Sequence, residues 1–211
     1  MDEGKTQSEV PAAKPIIEIP EFEIKEVAPL FGNLPEPKTS ENIQPMEQFD
    51  QGWGTILYRT TLPAVTSGTT LLITEVHDWA QVYANGKLLG RLDRRRGENS
   101  LKLPALAAGT QLDILIEAMG RVNFDKAIHD RKGITEKVEL LNESSTQELK
   151  NWQVYSFPVD YPFVKEKKYA PGKKLDGPAY YRATFNLEEA GDVFLDMQTW
   201  GKGMVWVNGK A

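Results

Sequence analysis

The chain lacks cysteine, has only two histidines and contains no long hydrophobic run. Without cysteine, disulfide bonds, thiol nucleophiles and cysteine-ligated metal sites are excluded. No apolar run approaches the roughly 18 residues of a membrane-spanning helix, so no membrane span is predicted. The net charge is −5. It argues against nucleic acid as a partner, because phosphate binding requires a basic face.

Sequence patterns of common catalytic sites are also missing. The chain contains no Gly-x-Ser-x-Gly, His-Glu-x-x-His or phosphate-loop pattern, and its acidic residues lack the spacing of a calcium loop. His77 is predicted to be structural because it lies on a strand. The pair His129-Asp130 could transfer a proton, although a solvated loop pair is the more ordinary interpretation. No catalytic residue, metal or cofactor is therefore predicted.

An internal repeat organises what is present. Asn208-Gly209-Lys210 repeats Asn85-Gly86-Lys87 at an offset of 123 residues (208 − 85), and Tyr181-Arg182 repeats Tyr58-Arg59 at the same offset (181 − 58). Two separated segments that share one offset indicate two copies of one module. Asn-Gly between apolar runs is a strong signal for a β-hairpin, because a type I′ turn needs positive φ at both central residues.

The first copy reads as a series of short strands. Thr55–Leu62 is rich in β-branched and aromatic residues, and turn signals separate the segments after it. Leu112, Ile114 and Ile116 alternate with polar and apolar neighbours and are predicted to face a core. Short strands at this spacing are typical of a β-sandwich or barrel. Further strands are expected at 70–76, 80–85, 88–92, 100–103, 111–118, 134–141 and 152–159.

The regions around the copies differ in composition. Residues 1–15 are polar and lack the apolar core of a signal peptide, so either the protein is cytosolic or its true N-terminus lies upstream. Six prolines between 15 and 45 favour an extended path, and alternating apolar residues predict a strap against a folded surface, with a strand at 22–27.

The expected domains are a tail and strap (1–45), a first sandwich (46–160), a linker (161–178) and a second, incomplete sandwich (179–211).

The second copy stops two residues after its turn, whereas the first continues through several strands. A half-sandwich would leave its apolar face in water. The chain is therefore predicted to be a fragment of a longer polypeptide. The alternative is that the second copy is only a hairpin arm packed on the first.

Candidate contact residues come from tryptophan and from charge. Trp152 and Trp206 are predicted to pack in a core. Trp79 and Trp200 lie at strand starts and are candidates for sugar stacking or domain contact. A second set of candidates lies in the arginine cluster 93–96 and the polar loop 120–133, where a solvated turn is the alternative to a domain interface: Arg94, Arg95, Arg121, Asn123, His129, Asp130 and Arg131.

Several segments together resemble the C-terminal β-sandwich region of glycoside hydrolase family 35 β-galactosidases. They are GWGTILYRTTL, HDWAQVYANGKLLGRLDRR, MGRVNFDKAIHDRKGI, GPAYYRATF and TWGKGMVWVNGKA. APLFGNLP and QPMEQFDQGWG resemble the segment that links that family's catalytic barrel to its sandwiches. The resemblance covers about residues 16–211.

The resemblance implies an all-β fold of jelly-roll, galactose-binding-like sandwiches. In that family the catalytic glutamates lie in an N-terminal (β/α)₈ barrel of about 250 residues, for which this chain has no room. We therefore expect a non-catalytic portion that packs on the barrel of the same parent, with a periplasmic or secreted location. The alternatives are an independent module that binds galactose-containing glycans, and an intact hydrolase with a site around His129.

Overall fold

The computed structural model describes residues 10–19 and 21–211, which form two compact units. The first unit is Phe31–Lys167, and the second unit combines the described residues before Phe31 with Lys168–Ala211. Regular structure in both is almost entirely antiparallel β-sheet, which confirms the all-β prediction. Within the described ranges, no helix is long and apolar enough to cross a membrane.

The regular elements are numbered in chain order. The strands are β1 (Glu26–Pro29), β2 (Lys38–Ser40), β3 (Thr55–Thr61), β4 (Thr70–Ile73), β5 (Val76–His77), β6 (Trp79–Ala84), β7 (Lys87–Asp93), β8 (Ser100–Lys102), β9 (Gln111–Glu117), β10 (Gly133–Ile134), β11 (Val138–Leu141), β12 (Thr146–Glu148), β13 (Trp152–Phe157), β14 (Ala170–Pro171) and β15 (Ala179–Arg182). Short 3₁₀ turns lie at Leu30–Gly32, Met46–Phe49, Arg94–Arg96 and Lys126–His129, and the helix α1 spans Tyr161–Lys165.

The first unit is a β-sandwich. Six strands form one sheet in the order β2-β13-β3-β9-β6-β7, and four form the other in the order β12-β11-β4-β8. Both sheets contribute fully buried side chains to one core, among them Leu71 and Val138 from the smaller sheet and Ile56 and Val82 from the larger. A sheet must bury its apolar face against another layer, and here each sheet covers the other. The jelly-roll order of the strands stays a prediction.

Two local predictions about the sandwich are confirmed. Leu112, Ile114 and Ile116 on β9 all lie in the shared core. Asn85 and Gly86 have φ values of 46° and 78°, the positive values that a type I′ turn needs, and they join β6 to β7 in an antiparallel hairpin.

Two boundary predictions differ from the structure. The strap strand is not at 22–27 but at Glu26–Pro29, because its four ladder partners are the residues of β15. Residues 142–150, between the predicted strands 134–141 and 152–159, contain β12, an exposed polar edge strand whose pattern has no apolar face to reveal it.

The second unit contains a three-stranded antiparallel sheet in the order β14-β1-β15. Its second structural feature is the turn of the second repeat copy. Asn208 and Gly209 have φ values of 52° and 83°, and Val207 and Lys210 bridge across them. The Asn-Gly turn is therefore formed in both copies, as the repeat predicts.

Candidate docking site

Lys132 is the centre of the candidate site in the first unit. It lies just before β10, at the end of the loop 120–133, and only 1% of its surface is exposed. Its ammonium donates to Asp78 Oδ2 at 2.7 Å, to Asp130 Oδ2 at 2.9 Å and to the Gly120 carbonyl at 3.3 Å. The lysine thus ties both ends of the loop to the end of β5.

Arg94 joins the arginine cluster 93–96 to this lysine centre. Its guanidinium donates to Asp78 Oδ1 at 3.0 Å and forms a two-pronged pair with Asp130 at 2.8 and 2.9 Å. Two cations and two carboxylates therefore alternate in one network. These distances bring Arg94 of the arginine cluster and Asp130 of the loop 120–133 into direct contact.

The carboxylates of the network are held in the charged form. Burial alone would raise the pKa of Asp78, but hydrogen bonds from Lys132, the Met119 amide and Arg94 together lower it. Burial would also raise the pKa of Asp130. Hydrogen bonds from Arg94 and Lys132 outweigh this effect and lower the pKa of Asp130 to about 2. Both carboxylates are ionised and fully paired at neutral pH, an arrangement suited to holding a loop and not to moving protons.

The loop has a second anchor at Glu47, in the turn before β3. Arg121 Nη2 contacts Glu47 Oε1 at 2.5 Å, and Arg121 Nε donates to the Gly52 carbonyl at 2.8 Å. The same Glu47 oxygen accepts from the Lys132 amide at 3.0 Å. Arg121 therefore fastens the start of the loop to the turn before β3.

His77 and Gly133 hold the far end of the loop. The buried His77 ring contacts the Arg131 carbonyl through Nδ1 at 2.6 Å and Glu75 through Nε2 at 2.9 Å, so it is structural, as predicted. Gly133 has a φ of 89°, and a Cβ there would collide with the Tyr58 hydroxyl. Only glycine therefore fits where the loop returns to the sandwich.

The outer surface of the loop is apolar as well as charged. Phe124 is 81% exposed, and Ile128 and Val122 are also exposed. Asn123 and His129 are exposed beside them, and within the described ranges neither side chain makes a hydrogen bond. Several exposed apolar side chains on one firmly anchored loop make it a candidate interaction surface.

The remaining candidates are distributed around this centre or lie outside it. Arg95 binds back to Asp93, whose pKa it holds at about 2 through its side-chain hydrogen bond, and it stays exposed. Trp79 is half-buried on β6. Trp200 lies in the second unit, half exposed and edge-on to Tyr181 at 6.3 Å, and so does not join the network.

Sequence reasoning missed Asp78, Lys132 and Glu47. The available signal was a charged residue where a strand pattern favours an apolar one. Asp78 interrupts the strand segment on either side of it, and Lys132 precedes a glycine at the start of a strand. Their partners lie 54 and 85 residues away, which no local pattern reveals. Among the described residues, no cluster of three or more histidine, aspartate or glutamate side chains could hold a metal ion.

Comparison with known proteins matches this chain to one family. Residues 44–158 match the family described as "Beta-galactosidase, first all-beta domain", and residues 178–211 match "Beta-galactosidase, galactose-binding domain". The β-galactosidase of Xanthomonas manihotis is 36% identical over 201 residues, which cover 95% of this chain and 32% of the relative.

Animal relatives give the same result. "Beta-galactosidase-1-like protein 3" of Mus musculus is 32% identical over 197 residues, covering 86% of this chain and 29% of the relative. The β-galactosidase of Homo sapiens is 33% identical over 187 residues, covering 77% and 26%. The chain thus spans about a third or less of the length of these relatives. The chain belongs to the β-galactosidase family, and it comprises the first all-beta domain together with residues of the galactose-binding domain.

Proposed function

We propose that this chain is the non-catalytic β-sandwich portion of a β-galactosidase, which packs on and supports a catalytic barrel of the same parent. Glycoside hydrolysis needs two carboxyl groups about 5 to 10 Å apart across a sugar site. At the candidate site, Asp78 and Asp130 are instead each paired with both Lys132 and Arg94. The relatives' additional length is where we place the barrel.

The observation that carries this proposal is the docking face, which we define as Asp93–Arg96 together with Gly120–Gly133. Its base is fixed by Lys132 and Arg94, while Phe124 projects into solvent. Fixing a loop before association reduces the entropy lost on binding, and aromatic residues such as phenylalanine are enriched at protein interfaces.

Charge surrounds the apolar part of this face. Arg95 and Arg96 keep most of their side-chain surface exposed, and Arg131 is exposed on the loop. A basic rim favours a partner surface with carboxylates around an apolar recess, because complementary rims set orientation and association rate. This is the chemistry that we expect of the barrel surface.

The proposal predicts that the chain alone does not hydrolyse an aryl β-galactoside. Turnover clearly above a mock preparation, and retained through repurification, would contradict it.

The docking face is tested in a hybrid protein in which this chain replaces the matching 201 residues of the Xanthomonas manihotis relative. Phe124→Ser should lower the temperature at which the hybrid loses β-galactosidase activity. Tyr161→Ser is the control, since Tyr161 is another exposed aromatic residue of the first unit, at 39%, and lies outside the docking face. Equal effects of the two substitutions would show that the docking face has no special role.

A second candidate function is galactose binding, favoured by a cleft in the second unit. The cleft holds about 510 Å³ and is lined by Glu21–Glu26, without Ile24, and by Arg182–Thr184. Phe22 is partly exposed there, and Arg182 and Glu26 form a two-pronged pair beside it. An aromatic face beside paired polar groups suits a sugar ring.

This second function is tested by titrating the chain with galactose and, as control, glucose, while amide signals are followed by NMR. Binding that shifts signals of residues 182–184 and disappears in Phe22→Ala would support it. Shifts that are absent, or unchanged by Phe22→Ala, would exclude this cleft.

A further inference from the structure

We propose that the N-terminal segment Glu21–Leu30 is an integral part of the second all-beta unit, in which strand β1 takes, beside β15, the place that β9 has beside β3 in the first unit. The domain is then assembled from two segments that lie about 150 residues apart in sequence. Residues 178–211, the match to the galactose-binding domain, form only one of the two.

The first support is the ladder between β1 and β15. Four consecutive residue pairs lie opposite one another, from Glu26 and Arg182 to Pro29 and Ala179. The Leu30 amide extends the ladder by donating to the Pro178 carbonyl at 3.0 Å. Val27 and Ala28 are buried, although their segment is rich in proline and charge.

The other edge of β1 is occupied as well. β14 pairs with Glu26 and Val27, and the Gly172 amide donates to the Lys25 carbonyl at 2.9 Å. A Cβ at Gly172 would lie 2.4 Å from a methyl group of Val27, so the approach is one that only glycine permits. β1 is therefore the central strand of its sheet, a position where loss of the strand removes both ladders.

The repeat supplies an independent argument. Arg59 and Arg182 hold the same position in the two copies (182 − 59 = 123). Arg59 lies opposite Asp113 of β9 and contacts it at 2.6 Å, whereas Arg182 lies opposite Glu26 of β1 and contacts it at 2.7 Å. Each repeat arginine thus meets a carboxylate at the directly opposed position of an antiparallel neighbour.

The neighbouring residue pair in each ladder supports the same equivalence of β1 and β9. Tyr58 lies opposite Ile114 of β9, and its counterpart Tyr181 lies opposite Val27 of β1. An aliphatic side chain therefore follows the carboxylate in both partner strands. The other neighbour of β3 is β13, which places the neutral Gln153 opposite Arg59, so the charge pattern points to β9 and not to β13.

Contacts of the second unit continue towards the N-terminus. The ring of Phe22 stacks on Phe185 with centroids 5.0 Å apart. The Ile17 amide donates to the Asp192 carbonyl at 3.1 Å, and the Asp192 amide donates to the Pro15 carbonyl at 2.9 Å. The N-terminal segment thus follows the second copy well beyond the four residues of β1.

Disulfide trapping in the full chain tests the register directly, because the native sequence contains no cysteine. We expect the double variants E26C/R182C and V27C/Y181C to cross-link, since directly opposed residues in a ladder lie about 4.5 to 5.5 Å apart. The control E26C/Y181C is one residue out of register, so its side chains point to opposite faces of the sheet. At least one in-register pair should form its disulfide tenfold faster than the control, as seen by the gel shift that closing so long a loop produces.

Charge reversal gives a second readout. Glu26→Arg should speed amide exchange at 179–182, and adding Arg182→Glu should restore slow exchange there, with the first unit unchanged throughout. Equal cross-linking rates for in-register and control pairs would overturn the proposal. Exchange at 179–182 that does not respond to Glu26→Arg would overturn it as well.

Discussion

The two repeat copies place equivalent residues in opposite environments. Leu71 and Phe194 occupy one repeat position (194 − 71 = 123), yet Leu71 is fully buried while Phe194 is 82% exposed. Val82 and Val205 show the same contrast, fully buried against 36% exposed. The same apolar pattern is thus a core in one unit and a surface in the other.

The difference comes from the strands that cover the pattern. Leu71 lies between Leu140 of β11 and Leu101 of β8, and Val82 lies opposite Ile114 of β9. Among the described residues of the second unit, the stretch around Phe194 pairs with no strand. The sequence pattern of a β-strand therefore indicates which face is apolar. Whether that face is buried depends on strands that are distant in sequence.

The turn of the repeat shows the opposite behaviour. Asn85-Gly86 and Asn208-Gly209 have nearly the same φ angles, although one turn joins strands of a six-stranded sheet and the other carries a single bridge. The geometry of an Asn-Gly turn is a property of two residues. Local features repeat between the units, and features that need partners do not.

The largest expected effect is at the buried centre of the first unit. Lys132→Ala removes the buried cation of the network and leaves Arg94 as the only lysine or arginine paired with Asp78 and Asp130, which should cost about 3–5 kcal/mol. Urea unfolding of the first unit measures it. Lys150→Ala is the control, because Lys150 is exposed and 4.0 Å from Glu41, and it should change stability by less than about 0.5 kcal/mol.

The next largest effect is expected at the equivalent repeat positions Leu71 and Phe194. Leu71→Ala should destabilise the first unit by about 2–5 kcal/mol, because it leaves a cavity between two sheets. Phe194→Ala at the equivalent position should cost less than about 0.5 kcal/mol. Comparable losses for the two variants, measured by unfolding of each unit, would mean that Phe194 is packed in solution.

Acid should weaken the first unit through Asp130. Its pKa is lowered to about 2 from an ordinary value near 3.9. A carboxylate with a lowered folded-state pKa contributes stability that is present above pH 4 and is lost as the pH falls towards 2. The unfolding temperature should depend less on pH across this window in Asp130→Asn than in the wild type. Asp125→Asn replaces an exposed carboxylate of the same loop and should leave the dependence of the unfolding temperature on pH as in the wild type.

The smallest effect concerns the shared turn. Gly86→Ala places a Cβ at positive φ and should cost the first unit about 1 kcal/mol. Gly209→Ala creates the same local strain, but the turn it disturbs carries a single bridge, so global unfolding should hardly change. A larger loss at Gly209 than at Gly86, in parallel denaturation curves, would contradict this ranking.

The sequence predicted what depends on neighbouring residues. The Asn85-Gly86 hairpin and the inward face of β9 follow from two-residue chemistry and from period-two alternation, which act locally. The repeat also located the second turn correctly. The loop 120–133 is longer and more charged than a turn requires, and its role as a contact region stays a prediction.

The sequence did not predict what depends on distant partners. The Asp78–Lys132 pair spans 54 residues, and the sequence near either residue does not indicate its partner. The strap strand was placed at 22–27 from its alternation, whereas its bounds follow from β15, which lies about 150 residues later. Pairing partners at such distances are fixed by tertiary structure and leave no local pattern.

Amide hydrogen exchange of the intact chain tests the contrast between the two units most directly. Residues 55–118 lie in two covered sheets, whereas most of 179–211 outside β15 has no ladder, and exchange protection follows burial and hydrogen bonding. We predict that amides in 179–211 exchange faster as a group than amides in 55–118, with β15 the slowest part of the second unit. Equal protection of the two repeat copies would contradict the account.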